Sequence, residues 1–211
     1  MKKICLLIVI AFELGIHSLC AAQETRALES KKSVLLFLGD SLTEGYGVDE
    51  KSAYPVLVGE SLKKKGHAVE VLNGSVSGST TASGLSRLRW FLKRHPTHLF
   101  LALGANDGLR GLKVADSKKH LESIIELAQK NQMKVILAGM LMPPNYGESY
   151  RAEFKAMYDN LAKVYKLDFI PFLLKGVAGK SELNIEDGVH PNEAGHRIIA
   201  ELVTTKLEEV L

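Results

Sequence analysis

Two short stretches of this chain carry side chains able to do covalent chemistry. Gly39-Asp40-Ser41-Leu42-Thr43 follows the apolar run Val34-Leu35-Leu36-Phe37-Leu38, so a hydroxyl stands at the end of a candidate buried strand. Far downstream, Asp187-Gly188-Val189-His190 sets a carboxylate and an imidazole three residues apart. A serine attacks nothing at neutral pH unless a base removes its proton, and the base needs a partner that fixes its tautomer. Ser41, His190 and Asp187 supply those three parts. The spacing lets the carboxylate reach Nδ1 within one loop and leaves Nε2 free for the hydroxyl. Each also has a plainer use, since serine caps helices and Asp bonds its own backbone in turns.

An attacked carbonyl would also need donors for the charge it develops. Asn73-Gly74-Ser75-Val76-Ser77-Gly78-Ser79-Thr80-Thr81 is a loop of small residues whose amides can approach a ligand. Gly78 is its best candidate, because a side chain there would obstruct an oxyanion. Gly104-Ala105-Asn106-Asp107-Gly108 offers the neutral Asn106 amide, which donates without becoming charged or competing as a base. The plain readings are a flexible loop before a helix and a turn closed on its own backbone.

For these segments to meet, something must gather them. Short apolar, branched runs at 34–38, 69–73, 99–103, 135–138 and 168–171 suit parallel strands buried on both faces. Amphipathic helical patterns lie between and after them. Pro55 suits a first helical turn and Gly66 a stop; Leu85, Leu88 and Leu92 share a face, as do Leu121, Ile124, Ile125 and Ala128. Phe154, Met157, Tyr158, Leu161 and Tyr165 mark another helix, and Asn192 can cap the last. Strands alternating with helices predict an α/β domain with a parallel sheet between helical layers, its ligand site beyond the strands' carboxyl ends. All four suspect segments follow predicted strands.

The chain has 211 residues, enough for one domain with a sizeable core. Its start reads as an export signal: basic Lys2 and Lys3, apolar Ile4 to Phe12, then small residues at Cys20-Ala21-Ala22. Cleavage after Ala22 and a polar arm at 23–32 are expected, with a catalytic domain over 33–211. Glu13 makes the apolar stretch too short for a span; an uncleaved amphipathic anchor is the alternative, and Leu19 argues against lipid attachment at Cys20. Both cysteines, Cys5 and Cys20, would leave with the signal, so no disulfide framework or thiolate chemistry is expected. Loss of Lys2, Lys3 and Glu13 takes the formal charge from +3 to +2, too balanced to suggest nucleic acid as the main partner.

The four segments together resemble the SGNH (GDSL) hydrolase superfamily, from about residue 34 to the C-terminus. The family's Ser, Gly, Asn and His fall here on Ser41, Gly78, Asn106 and His190, in its chain order. Gly39-Asp40-Ser41-Leu42-Thr43-Glu44-Gly45-Tyr46-Gly47, the stretch from Gly104 to Gly111 and Pro143-Pro144-Asn145-Tyr146-Gly147 are similar to the exported bacterial arylesterase/thioesterase/lysophospholipase group. The resemblance implies a three-layer, flavodoxin-like α/β/α sandwich with a five-stranded parallel sheet. It also implies a two-step acyl transfer through Ser41, His190 and Asp187, with the N–H groups of Ser41 and Gly78 and the Asn106 amide holding the oxyanion. No metal or cofactor is implied. Ser79 stands where many members carry an acid, which bears on the hydrogen bonding of the Gly78 loop.

Small-molecule esters, thioesters or lysophospholipids are the expected substrates, and Leu109, Leu112, Leu141, Met142 and Tyr146 are candidate pocket walls. A carbohydrate acetyl esterase and a non-catalytic periplasmic lipid binder are the alternatives. No Gly-x-Ser-x-Gly elbow occurs, which removes the α/β-hydrolase reading. Gly176-Val177-Ala178-Gly179-Lys180-Ser181 fails as a phosphate loop because position 174, where its first glycine is needed, holds Leu174.

Overall fold

A computed structural model describes residues 32–211; the expected signal and nearly all of the polar arm lie outside the described residues. Residues 33–211 form one compact unit. Its five strands are β1 (Ser33–Gly39), β2 (Val69–Asn73), β3 (His98–Ala102), β4 (Lys134–Ala138) and β5 (Asp168–Ile170). All pair in parallel, in the order β2-β1-β3-β4-β5. Leu35 to Leu38 and Leu99 to Leu101 are wholly buried, as strands covered on both faces must be. Strand ends differ from the sequence reading by a residue or so. β5 stops before Pro171, which has no N–H to give a ladder.

The helices are α1 (Ser41–Glu44), α2 (Tyr54–Lys64), α3 (Gly84–Phe91), α4 (Ala105–Leu109), α5 (Val114–Lys130), α6 (Glu148–Val164) and α7 (Glu193–Glu208). α2 packs on α7, while α5 packs on both α3 and α6. Each apolar stripe read from sequence faces the core, with Leu85, Leu92 and Tyr165 only half-buried; Leu92 and Tyr165 fall just past their helices. The chain leaves β1 toward β2 on one side and reaches β3 on the other. That reversal opens a crevice at the carboxyl ends of β1 and β3.

The turn after β1 is tightly braced. Gly39 must lack a side chain, because a Cβ there would lie 2.2 Å from Thr43 Oγ1. Its N–H donates to Ser75 Oγ at 3.0 Å, and Arg87 Nη1 donates to the carbonyls of Gly39 and Gly74, each at 2.9 Å. Tyr54 joins α2 to this turn and to α7: its hydroxyl donates to Thr43 Oγ1 at 2.9 Å, and its N–H to His196 Nδ1 at 3.2 Å. Its ring meets Phe37 and Phe100 edge-on at 5.7 and 6.2 Å.

Two buried groups here titrate in opposite senses. Asp40 caps α1 by accepting Leu42 N–H through Oδ1, while its Oδ2 has no partner among the described residues. Burial raises its pKa from 3.8 to about 6, outweighing the Leu42 bond and the fields of His190 and Arg87. Folding therefore disfavours its ionised form, a penalty absent below the unfolded value and complete above the folded one. Burial lowers the His196 pKa from 6.5 to about 4, with His190 adding to the effect. Its stabilisation is complete above the unfolded value and lost as acid titrates the ring. Each shift amounts to about 3 kcal/mol, so between roughly pH 4 and 6.5 the two largely cancel. Asp40→Asn should therefore gain stability of that order above pH 6 and none at pH 4, steepening the acid limb. His196→Gln should do the reverse and lose most at neutral pH. Urea melts across pH 4–8 that run parallel to wild type for either variant would contradict this.

Candidate active site

Ser41 is the first residue of α1, placed there by the Asp40 cap at the end of β1. Its Oγ lies 2.9 Å from His190 Nε2, although the two residues are 149 positions apart. His190 Nδ1 lies 2.6 Å from Asp187 Oδ2. A carboxylate can only accept, so Nδ1 carries the proton and Nε2 is left to accept from the Ser41 hydroxyl. The hydroxyl, imidazole and carboxylate thus form one relay.

The loop bearing the imidazole is fixed by its own backbone. Ile185 N–H donates to His190 O at 2.8 Å, and Asn192 N–H to Leu183 O at 3.0 Å. The Asn192 side chain caps α7 through the N–H groups of Ala194 and Gly195, as its sequence position suggested. Asp187 Oδ1 accepts the N–H groups of Val189 and His190, at 2.8 and 3.0 Å. Slight desolvation would raise the Asp187 pKa, but those two donors and the imidazole overcome it and hold it at about 2. Asp187 is therefore a carboxylate at any physiological pH. Tyr46, between Gly45 and Gly47, lays its ring 4.8 Å from the imidazole. Sequence reasoning did not single it out; its place in the glycine-flanked turn shortly after Ser41 was the available signal.

Across the crevice, Asn106 Nδ2 donates to Ser79 O at 3.0 Å, which occupies one amide hydrogen and leaves the other. Gly78 has φ of +73°, the left-handed region that favours glycine. A Cβ there would meet only Arg110 Nη2, at 3.9 Å. The residue is thus required by backbone conformation, not by crowding from the protein. The loop is held from both sides: Ser77 N–H and hydroxyl both meet Glu44 Oε2, and Arg110 Nη2 donates to Gly78 O at 3.0 Å. With Ser79 in place of an acid, its backbone carbonyl still serves as the anchor for Asn106.

Ser41, Gly78, Asn106 and His190 line one cavity of about 760 Å³. Leu109, Leu141 and Met142 line it as expected, joined by Met140, Pro143, Pro144, Phe172 and Leu174. Leu112 and Tyr146 do not. Leu112 lies past the end of α4 and lines a separate hollow of about 340 Å³ with His120. Tyr146 stands outside the wall, its hydroxyl donating to Leu109 O at 2.9 Å and its ring stacked on Tyr150. Phe172 and Leu174 were missed, yet they follow β5 and so lie where the rule for parallel sheets puts a ligand.

The chain is similar to known proteins in both sequence and fold. A sequence model of the GDSL-like lipase/acylhydrolase family matches residues 37–198. An arylesterase of Vibrio mimicus is 37% identical over 189 residues, covering 89% of this chain and 92% of its own. A thioesterase/protease/lysophospholipase of Escherichia coli is 34% identical over 178 residues, 84% of each chain. Among solved structures, TesA superposes with a TM-score of 0.82 at 35% identity, covering 85% of this chain and 100% of its own. The psychrotrophic esterase EstA of a Pseudoalteromonas species, inhibited by monoethylphosphonate, gives 0.80 at 29%, covering 84% and 97%. With the family model spanning most of the described residues, and relatives above 30% identity along nearly their whole length, the chain belongs to the GDSL-like lipase/acylhydrolase family.

Proposed function

We propose that this protein hydrolyses carboxylic esters and thioesters through an acyl-enzyme formed on Ser41. The observation that carries the reading is the relay from Ser41 Oγ through His190 to Asp187, opening into one cavity with Gly78 and Asn106. His190 Nε2 takes the hydroxyl proton as Oγ attacks the carbonyl, and the Asp187 carboxylate stabilises the imidazolium. The N–H groups of Ser41 and Gly78 and the free hydrogen of the Asn106 amide receive the oxyanion. His190 then protonates the leaving group. Water enters by the same route in reverse: it adds to the acyl carbon while His190 takes its proton, and His190 returns that proton to Ser41 Oγ as the C–O bond breaks and the acid leaves.

The cavity's apolar wall supports an extended acyl group. Its volume is within the range of ordinary ligand sites and exceeds what an acetyl group needs. The names of the relatives point the same way, toward aryl esters, thioesters and lysophospholipids. Among the described residues no helix is long and apolar enough to cross a membrane. The basic, apolar and small-residue sequence of the N-terminus supports export, and N-terminal sequencing of the exported protein should then begin at Gln23.

Turnover tests the assignment. Asn106→Ala should lose roughly 10²–10³ in kcat, the usual cost of one oxyanion donor, and Ser41→Ala should lose more with the fold intact. Near-normal hydrolysis by Ser41→Ala would end the reading. Measured on nitrophenyl esters from acetyl to palmitoyl, kcat/KM should rise with chain length before it falls. A maximum at acetyl, with faster release of acetate from an acetylated sugar, would favour the carbohydrate esterase instead.

A further inference from the structure

The two candidate oxyanion donors arrive on unconnected segments. Gly78 follows β2 and Asn106 follows β3, and those strands are not neighbours, since β1 runs between them. The sheet ladder therefore cannot fix the distance between the donors. Side chains must do it.

Asp107, beside Asn106 on α4, is placed for that task. Its side chain does not close a local turn. It reaches Thr81, three residues beyond Gly78: Thr81 N–H donates to Asp107 Oδ2 at 2.9 Å, and Thr81 Oγ1 donates to Oδ1 at 2.6 Å. Asp107 is 2% exposed and Thr81 wholly buried, so water does not compete for these bonds. Ser117 Oγ, from α5, donates to Oδ1 at 3.0 Å. Because the Thr81 hydroxyl proton is committed to the carboxylate, His120 Nδ1, at 3.1 Å, must donate to Thr81 Oγ1. Consecutive residues of α4 thus grip the same strip of chain, Asn106 at the Ser79 carbonyl and Asp107 at both donors of Thr81.

We propose that Asp107 is a positioning residue for catalysis: with Thr81 as its fork-shaped partner, it sets the Gly78 N–H against the Asn106 amide. This rests on the assignment of those two groups as oxyanion donors. Loss of the clamp leaves the loop tied to α4 only by the Asn106–Ser79 and Arg110–Gly78 bonds, free to shift, and a displacement of about an ångström can cost on the order of 10² in rate. Substrate binding in the apolar wall is untouched.

A double-mutant cycle on kcat tests this. Asp107→Asn places an amide N–H against one of the Thr81 donors. It should lower kcat by roughly tenfold to a hundredfold with KM within about twofold, while circular dichroism and thermal melting show a folded protein. On an Asn106→Ala background the same change should cost markedly less, because one of the donors it aligns is already gone. Thr81→Val, which keeps the N–H and loses the hydroxyl, should show the same split, and Thr81→Ser should restore wild-type kcat. The Thr81 pair carries the test should Asp107→Asn not fold. Equal fold-losses on both backgrounds, a change in KM alone, or an unaltered kcat would overturn the proposal. If Ser41→Ala or Asn106→Ala keeps normal activity, the oxyanion assignment itself fails. If both are impaired and the cycle is additive, only the clamp fails.

Discussion

One hydrogen bond, from Ser41 Oγ to His190 Nε2, joins the beginning of the folded unit to its end. Nothing local can make it. It exists because five parallel strands deliver their carboxyl ends to one rim, so that residues following β1 and preceding α7 arrive together. The rest of the structure serves to keep that bond short. Gly39 allows the turn, Asp40 caps it, Tyr54 ties it to α2 and α7, and Arg87 holds the ends of β1 and β2 in place. On the other side, Asn192 and the backbone of residues 183–192 fix the imidazole.

The electrostatics of the rim are arranged by exposure as much as by charge. Asp187, partly in solvent and bonded by two N–H groups, stays ionised and holds the Nδ1 proton of His190. Asp40 lies only one residue from Ser41 but is buried, and its carboxyl resists ionisation. Two carboxyl groups near one imidazole thus have different tasks because their surroundings differ. Asp187 orients the ring, and Asp40 caps a helix at a cost in stability that His196 partly mirrors. That cost makes mechanical sense only at a turn which must not move.

Much of this was legible in the sequence, for reasons that can be named. β1, β3 and β4 are buried on both faces and read as unbroken apolar runs, and the amphipathic stripes of α5 and α6 match their buried faces. The four motif segments each have a plainer use alone, and could be recognised because together they follow strands in the chain order of a known family. What could not be read depends on contacts between segments far apart. Asp107 drew no role of its own because its partner, Thr81, is 26 positions away. The pocket wall was placed by nearness in sequence, which put Leu112 and Tyr146 in it. The chain beyond α4 turns aside, and Tyr146 instead supports Leu109 from behind. Phe172 and Leu174 come from the segment after β5, where the one pattern that drew notice, the failed phosphate loop at 176–181, pointed to no pocket wall.

The central claim is that a hydroxyl, an imidazole and three N–H donors surround a single reacting carbonyl. A crystal structure of the protein after reaction with an alkyl phosphonate ester tests it most directly, because the tetrahedral phosphorus mimics the carbon under attack. The account predicts phosphorus bonded to Ser41 Oγ, its free oxygen about 2.7–3.1 Å from the Ser41 and Gly78 nitrogens and Asn106 Nδ2, and its alkyl group along Leu109 and Met142. An adduct on another residue, or an oxygen turned away from Gly78 and Asn106, would contradict it.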